Sequence, residues 1–222
     1  MRPDTTVLYY TSNAEPPAFE TAILDYLVSM LDGTPLVTVS QQPLPYGTNL
    51  CVGDVGMSNL NIFRQMQIGV QATHTPFICL AESDYLHPPE YFAFVPPRED
   101  TFYYVMPLWV AFCQRGKKRL YCRKKRGSEG AMHVGRDFLL KALNTMLAGQ
   151  PLWKHARGRG MEIPLPYMFK LGPREAFTVP VPVITFKTDA QLHRRTPHDL
   201  ESRTTDLPHW GNIHDLEHRF GL

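Results

Sequence analysis

The chain has 222 residues, 43% of them hydrophobic and 20% charged, with a formal net charge of +2 at pH 7. That length holds one large α/β domain or two small ones, and the charge is too small to name a partner. No apolar run approaches the ~18 residues that a membrane span needs. The opening "MRPDTTVLYYTSN" lacks a signal-peptide core, so the cytoplasm is the expected location. Cys51, Cys79, Cys113 and Cys122 include no C-x-x-C pair, which argues against a structural zinc site and for reduced thiols.

"TTVLYY" (5–10) is apolar, β-branched and aromatic, and reads as a buried strand. Helical spacing of Phe19, Ile23, Tyr26, Leu27 and Met30 predicts a helix over 18–31, closed by Asp32-Gly33. "PLVTVSQ" is a second strand and "QPLPYGTNLCVGDVG" a long loop. A helix is predicted over 58–72, and "PFICLAES" is a third strand. This alternation over about the first 90 residues predicts a parallel sheet with crossover helices, whose ligands bind outside the carboxyl ends of the strands. Further on, "FYYVMPLWVAFCQ" and "RLYCRKK" read as two strands of a basic hairpin, and "GRDFLLKALNTML" as a helix. "FTVPVPVITFKT" reads as one late strand whose proline-rich part belongs on an edge. A short terminal helix starts near Ile213. The expectation is a single domain over 1–222, with a nucleotide-binding half (1–95) and an acceptor-side half (96–222).

Glu82 and Asp84 stand at i and i+2 at the end of the third strand, so an extended backbone sends both side chains to one face. Two such oxygens suit a hard cation, Mg or Mn, completed by water and a diphosphate. The alternative is one acid capping a turn and the other in solvent.

The segments "VLYYTSN", "CVGDVGMSNLNIFRQMQIGVQ" and "FICLAESDYLHPPEYF" together resemble nucleotide-sugar glycosyltransferases of the GT-A type, in particular a small group of bacterial and phage-borne glycosyltransferase-like proteins. The resemblance spans about residues 5–140. It implies a GT-A-like (Rossmann-like) fold and a donor nucleotide sugar, UDP-linked. Glu82-Ser83-Asp84 takes the place of the DxD motif that holds a divalent cation on the diphosphate, with Asp84 the metal contact and Glu82 on metal or ribose. It further implies that Tyr10, Thr11, Ser12 and Asn13 hold base and ribose; the same residues also suit a core tyrosine and the start of a helix. Asp54, in a loop with Gly53 and Gly56, is a candidate for base or ribose. Asn61 and Arg64 face the nucleotide in the wider family. Lys187 stands where the family has a histidine or similar group, and is a candidate to neutralise phosphate.

For the base that deprotonates the acceptor hydroxyl, Asp137, Glu162 and Asp189 are candidates; Asp137 equally suits a first-turn helix acid. His209, His214 and His218 lie in the tail, where GT-A enzymes often bring a late histidine to the metal. Eight Arg/Lys between Arg115 and Arg126, among them Lys117, Lys118, Arg119, Arg123, Lys124 and Lys125, form either a solvated edge hairpin or a polyanion contact continued by Arg157 and Arg159. The resemblance implies a glycan or DNA as acceptor, the latter through a hydroxylated base in phage DNA, and the host cytoplasm as the location if the chain is phage-encoded. Two other function classes remain: a nucleotidyltransferase, whose basic Gly-rich loop "TSNAEPP" lacks, and a non-catalytic nucleic-acid-binding module.

Overall fold

Alternate residues of the first strand enter different cores. Leu8 and Tyr10 join one that includes Leu60, Met66, Leu139 and Leu143, while Val7 and Tyr9 join one that includes Leu24 and Leu27. A strand covered on both faces must be apolar throughout, which is why "TTVLYY" shows no polar alternation. The computed structural model describes residues 3–106, 108–113, 121–125, 128–155, 170–190 and 199–222.

The chain begins β1 (Thr5–Tyr10), α1 (Pro17–Met30), β2 (Leu36–Ser40), β3 (Thr48–Cys51), α2 (Asn59–Gln71) and β4 (Phe77–Glu82). Next come β5 (Tyr85–Leu86), α3 (Pro89–Ala93), β6 (Phe102–Val105), β7 (Leu108–Phe112), β8 (Tyr121–Lys125), β9 (Met132–Gly135) and α4 (Arg136–Leu147). The remainder is β10 (Arg174–Phe177), β11 (Val183–Lys187), β12 (Asp199–Thr204), β13 (Asp206–Leu207), β14 (Gly211–Asn212) and α5 (Ile213–Phe220).

The central sheet has seven strands in the order β10-β6-β9-β4-β1-β2-β3, all running one way except β9. It is a mostly parallel sheet flanked by helices, the α/β class expected. Ser58 caps α2 by accepting from the Asn61 amide. Gly69 lets α2 lie close on the sheet, because a Cβ there would sit 2.2 Å from Leu8 Cδ1. A second sheet, β12-β8-β7-β11-β5, is joined to the first where β4 runs into β5, β6 into β7 and β10 into β11.

Several expectations change. The long loop after β2 contains β3, which lies parallel to β2 and is stabilised by Asn49 donating to Thr38 Oγ1 and Ser40 Oγ, both 2.9 Å. The run expected as one strand at 102–114 is two, β6 and β7, in different sheets. The late strand also divides into β10 and β11, and Pro180 and Pro182 lie between them rather than within an edge strand. β11 is interior, flanked by β7 and β5. The hairpin is present as the antiparallel pair β7–β8, and the terminal helix starts at Ile213. On α5, Ile213, Leu216 and Phe220 are buried with Phe19 and Ile23 of α1 and Phe186 of β11.

Candidate functional site at the carboxyl edge of the sheet

The register aligns the strand ends. Tyr10 is level with Glu82 across β1–β4 and with Val39 across β1–β2, and Ser40 is level with Cys51 across β2–β3. The segments after β1, β2, β3 and β4 therefore leave the sheet at one edge, the carboxyl edge, where ligands of such sheets bind. Parallel partners share a face, so Tyr10 and Glu82 both point to the α2/α4 side.

Glu82 is the last residue of β4, and Ser83 and Asp84 form the turn into β5. The pair thus sits at the junction of the two sheets, and a turn rather than an extended backbone brings the acids together. The Tyr10 hydroxyl donates to Glu82 Oε1 at 2.6 Å. Asp84 is 5% exposed; its Oδ2 accepts from Thr185 Oγ1 at 2.8 Å and its carbonyl from the Phe186 amide at 2.8 Å. Burial and the neighbouring Asp84 push the Glu82 carboxyl up to about 8, against the opposing pull of the Tyr10 hydrogen bond and Lys187. Glu129 acts on Glu82 in the same upward direction. Burial and Glu82 likewise raise the Tyr10 phenol well above its ordinary value.

A wall lies against this pair. Residues 128–131 form a turn closed by the Ala131 amide on the Ser128 carbonyl (3.2 Å) and tied to β6 by the Val105 amide on the Ala131 carbonyl (3.2 Å). Tyr85 donates to Ser128 Oγ at 2.7 Å, and His87 Nε2 donates to the Gly130 carbonyl at 3.1 Å.

The loop after β1 is held internally. Thr11 Oγ1 accepts from the Asn13 amide at 2.8 Å, and Asn13, at φ +52°, accepts from the Gln41 and Gln42 amides at 2.8 and 2.9 Å. Ser12 is half-buried beside them, and Asp54 is exposed in the loop after β3. The buried Asn61 side chain ties that loop to residue 154: it donates to Val55 O (2.7 Å), Gly56 O (2.9 Å) and Lys154 O (3.0 Å), and accepts from the Lys154 amide (2.9 Å).

Three expected residues take other positions. Tyr10 is 3% exposed and offers no ring face for a base to stack on. Arg64 donates from Nη2 to the carbonyls of Leu147, Gln150 and Pro151 at 3.3, 3.1 and 3.2 Å, so its guanidinium holds the end of α4. Asp137 is at the opposite end of β4: β9 is antiparallel to β4, Phe77 is level with Gly135, and the Arg136 amide bonds the Pro76 carbonyl. Six residues of strand, about 20 Å, separate that end from Glu82, so Asp137 is not brought to the acid pair.

Lys187 closes β11, two residues after Thr185 and on the same strand face. Asp189 follows it, exposed. His209, His214 and His218 are exposed, the last two on α5, which packs its apolar side on α1. Among the described residues no group of three His, Cys, Asp or Glu is arranged to hold a metal. Lys117, Lys118, Arg119, Arg157, Arg159 and Glu162 lie outside the described residues; Arg123, Lys124 and Lys125 are on β8. Sequence reasoning missed Thr185, although strand alternation in "VITFKT" puts it on one face with Lys187. It also missed Glu15, buried with both carboxylate oxygens on Thr188 Oγ1 (3.0 and 2.7 Å). No helix among the described residues is long and apolar enough to cross a membrane.

No family model and no curated protein matches the chain. Among solved structures, a glycosyltransferase involved in the glycosylation of the major capsid of PBCV-1 is 13% identical with a TM-score of 0.38, over 67% of this chain and 69% of that one. The bifunctional IspDF from Campylobacter jejuni is 8% identical with a TM-score of 0.44, over 79% of this chain and 49% of that one.

Proposed function

We propose that the chain is a glycosyltransferase that binds a UDP-linked nucleotide sugar at the carboxyl edge of its sheet and passes the sugar to a hydroxyl acceptor. The observation that supports this most directly is the acid pair at the sheet junction, with Glu82 held by Tyr10 and Asp84 by Thr185, and with Lys187 close enough to act on Glu82. A donor diphosphate needs positive charge at its oxygens as the glycosidic bond breaks. Lys187 supplies one such charge from the end of β11.

The residues also fit one hard cation, provided ligand oxygens complete it, because Mg²⁺ is commonly held by one or two carboxylates together with phosphate and water. Asp84 and Glu82 would hold it, and it would supply Lewis-acid stabilisation of the departing diphosphate. The raised proton affinity of Glu82, set by burial and by Asp84, competes with that ligation. Asn13, Ser12 and Asp54 line the same edge and are the proposed ribose and base contacts. With Asp137 at the other edge, Asp189 is the described residue nearest in sequence to Lys187 among the base candidates.

The test is calorimetry with UDP and Mn²⁺. Wild type is expected to bind UDP and Asp84→Ala to give no signal; equal binding by the two proteins rejects the site. Release of nucleoside diphosphate from a panel of nucleotide sugars identifies the donor. Adding hydroxymethylated duplex DNA to the same panel tests the acceptor suggested by the basic stretch Arg115–Arg126. Steeply salt-dependent binding of DNA without any turnover would favour the non-catalytic module instead.

A further inference from the structure

The residues just after the acid pair are aimed at one short turn, and their function is not explained by ligand contact. His87 is 2% exposed and packed between aromatic rings, 5.6 Å from Tyr85, 4.5 Å from Tyr91 and 5.7 Å from Phe92. Because a carbonyl can only accept, its Nε2 must carry the proton given to Gly130 O at 3.1 Å. Nδ1 then has only its lone pair, and it has no hydrogen-bond partner among the described residues. A buried ring with one nitrogen unsatisfied is costly. An apolar ring would fill the same space without that cost, so the Nε2–H···O bond is what distinguishes histidine here.

What it holds is the segment nearest the acids. A Cβ on Gly130 would lie 2.8 Å from Glu82 Cδ and 2.8 Å from both Cε2 and Cζ of Tyr85, so the Gly130 backbone is pressed against the Glu82 carboxyl. The Tyr85 hydroxyl holds the other end of the same turn through Ser128. The stretch 82–87 therefore contains both halves of the site. Glu82 and Asp84 are its acids, while Tyr85 and His87 fix the wall that covers one side of Glu82.

We propose that His87 is a positioning residue: through its hydrogen bond to the Gly130 carbonyl it sets the 128–131 wall against Glu82, and so determines which side of that carboxylate is open to the donor. This deepens the donor-site reading and rests on it for its ligand readout, so a second, ligand-free readout is needed. The variants are His87→Phe, which keeps a ring in the aromatic stack but removes the donor, His87→Gln, whose amide nitrogen restores a donor at similar reach, and Gly130→Ala.

Hydrogen exchange of the peptide covering 128–135 is expected to quicken by about tenfold in His87→Phe and return towards wild type in His87→Gln, with peptides from β1 unchanged. Affinity for UDP with Mn²⁺ is expected to fall by about tenfold in His87→Phe and Gly130→Ala and to recover in His87→Gln. Circular dichroism melts identify any variant that fails to fold, and His87→Gln then carries the comparison against wild type. Exchange at 128–135 that is the same in wild type, His87→Phe and His87→Gln overturns the proposal, as does a His87→Gln protein as perturbed as His87→Phe, which would assign the effect to ring packing. If wild type binds no UDP yet exchange follows the expected order, the donor reading fails and the wall assignment stands.

Discussion

At the carboxyl edge of the central sheet, Gln41, Asn61 and Gln65 are all buried and direct their amides to loop backbone: Gln41 to Val55, Gly56 N and Gly56 O, Asn61 to Val55, Gly56 and Lys154, and Gln65 to Thr11. At the amino edge, Asp137 has a side chain 87% exposed and pairs only with its neighbour Arg136 among the described residues. Surface loops are ordinarily served by water. Buried side chains bonded to loop backbone pre-set the shape of one edge and leave the other to solvent. The lesson is that position in the sheet, more than residue type, separates the acids: Asp84 and Asp137 are the same side chain at opposite ends of one strand.

Substitutions should follow that division. Asp84→Ala is expected to give the largest effect, complete loss of UDP binding by calorimetry; it also leaves the buried Thr185 hydroxyl without its acceptor, lowering stability by about 1–3 kcal/mol in urea unfolding. Asn61→Ala removes the tie between the 53–56 loop and residue 154, and should cost about 2 kcal/mol while quickening exchange in both segments. A loss below ~0.5 kcal/mol would show that the edge is not pre-set by these bonds.

The third effect depends on pH. The Glu82 carboxyl titrates at about 8 in the fold against an ordinary 4.5, so the unfolded chain releases this proton first. Between those values folding takes up a proton, and stability falls as pH rises. Urea midpoints of wild type should therefore drop from pH 5 to pH 8 more steeply than those of Glu82→Gln; parallel profiles would remove the raised proton affinity from the site. Asp137→Asn should be the smallest change, within ~0.5 kcal/mol of wild type and with UDP binding unaltered. A weakened donor affinity in that variant would break the distinction between the two edges.

Much of the sheet was legible because burial on both faces leaves apolar runs, as in β1 and β4, and because α1 repeats Phe19, Ile23 and Leu27 along one side. β3 was not, since Thr48–Cys51 is partly exposed and polar and its pairing depends on Asn49 reaching back to β2. The division of 102–112 between two sheets was hidden because both pieces are buried and apolar. The acid pair could be read from its spacing. Its supports could not: Tyr10 and Thr185 are 72 and 101 residues away along the chain from the acids they hold. Asp137 stayed open between base and first-turn acid because nothing local to "GRDF" reveals that the preceding strand runs antiparallel, which starts α4 at the far edge; the first-turn acid is what α4 shows.

Phe186 immediately precedes Lys187, and its ring lies 5.4 Å from Phe19 on α1 and 6.0 Å from Phe220 on α5. α5 is thus a foundation for the strand that ends in Lys187. Stopping translation before codon 213 would strip three buried apolar side chains, Ile213, Leu216 and Phe220, from under β11, so a truncation far from the acid pair in sequence would loosen the strand that holds Asp84 through Thr185.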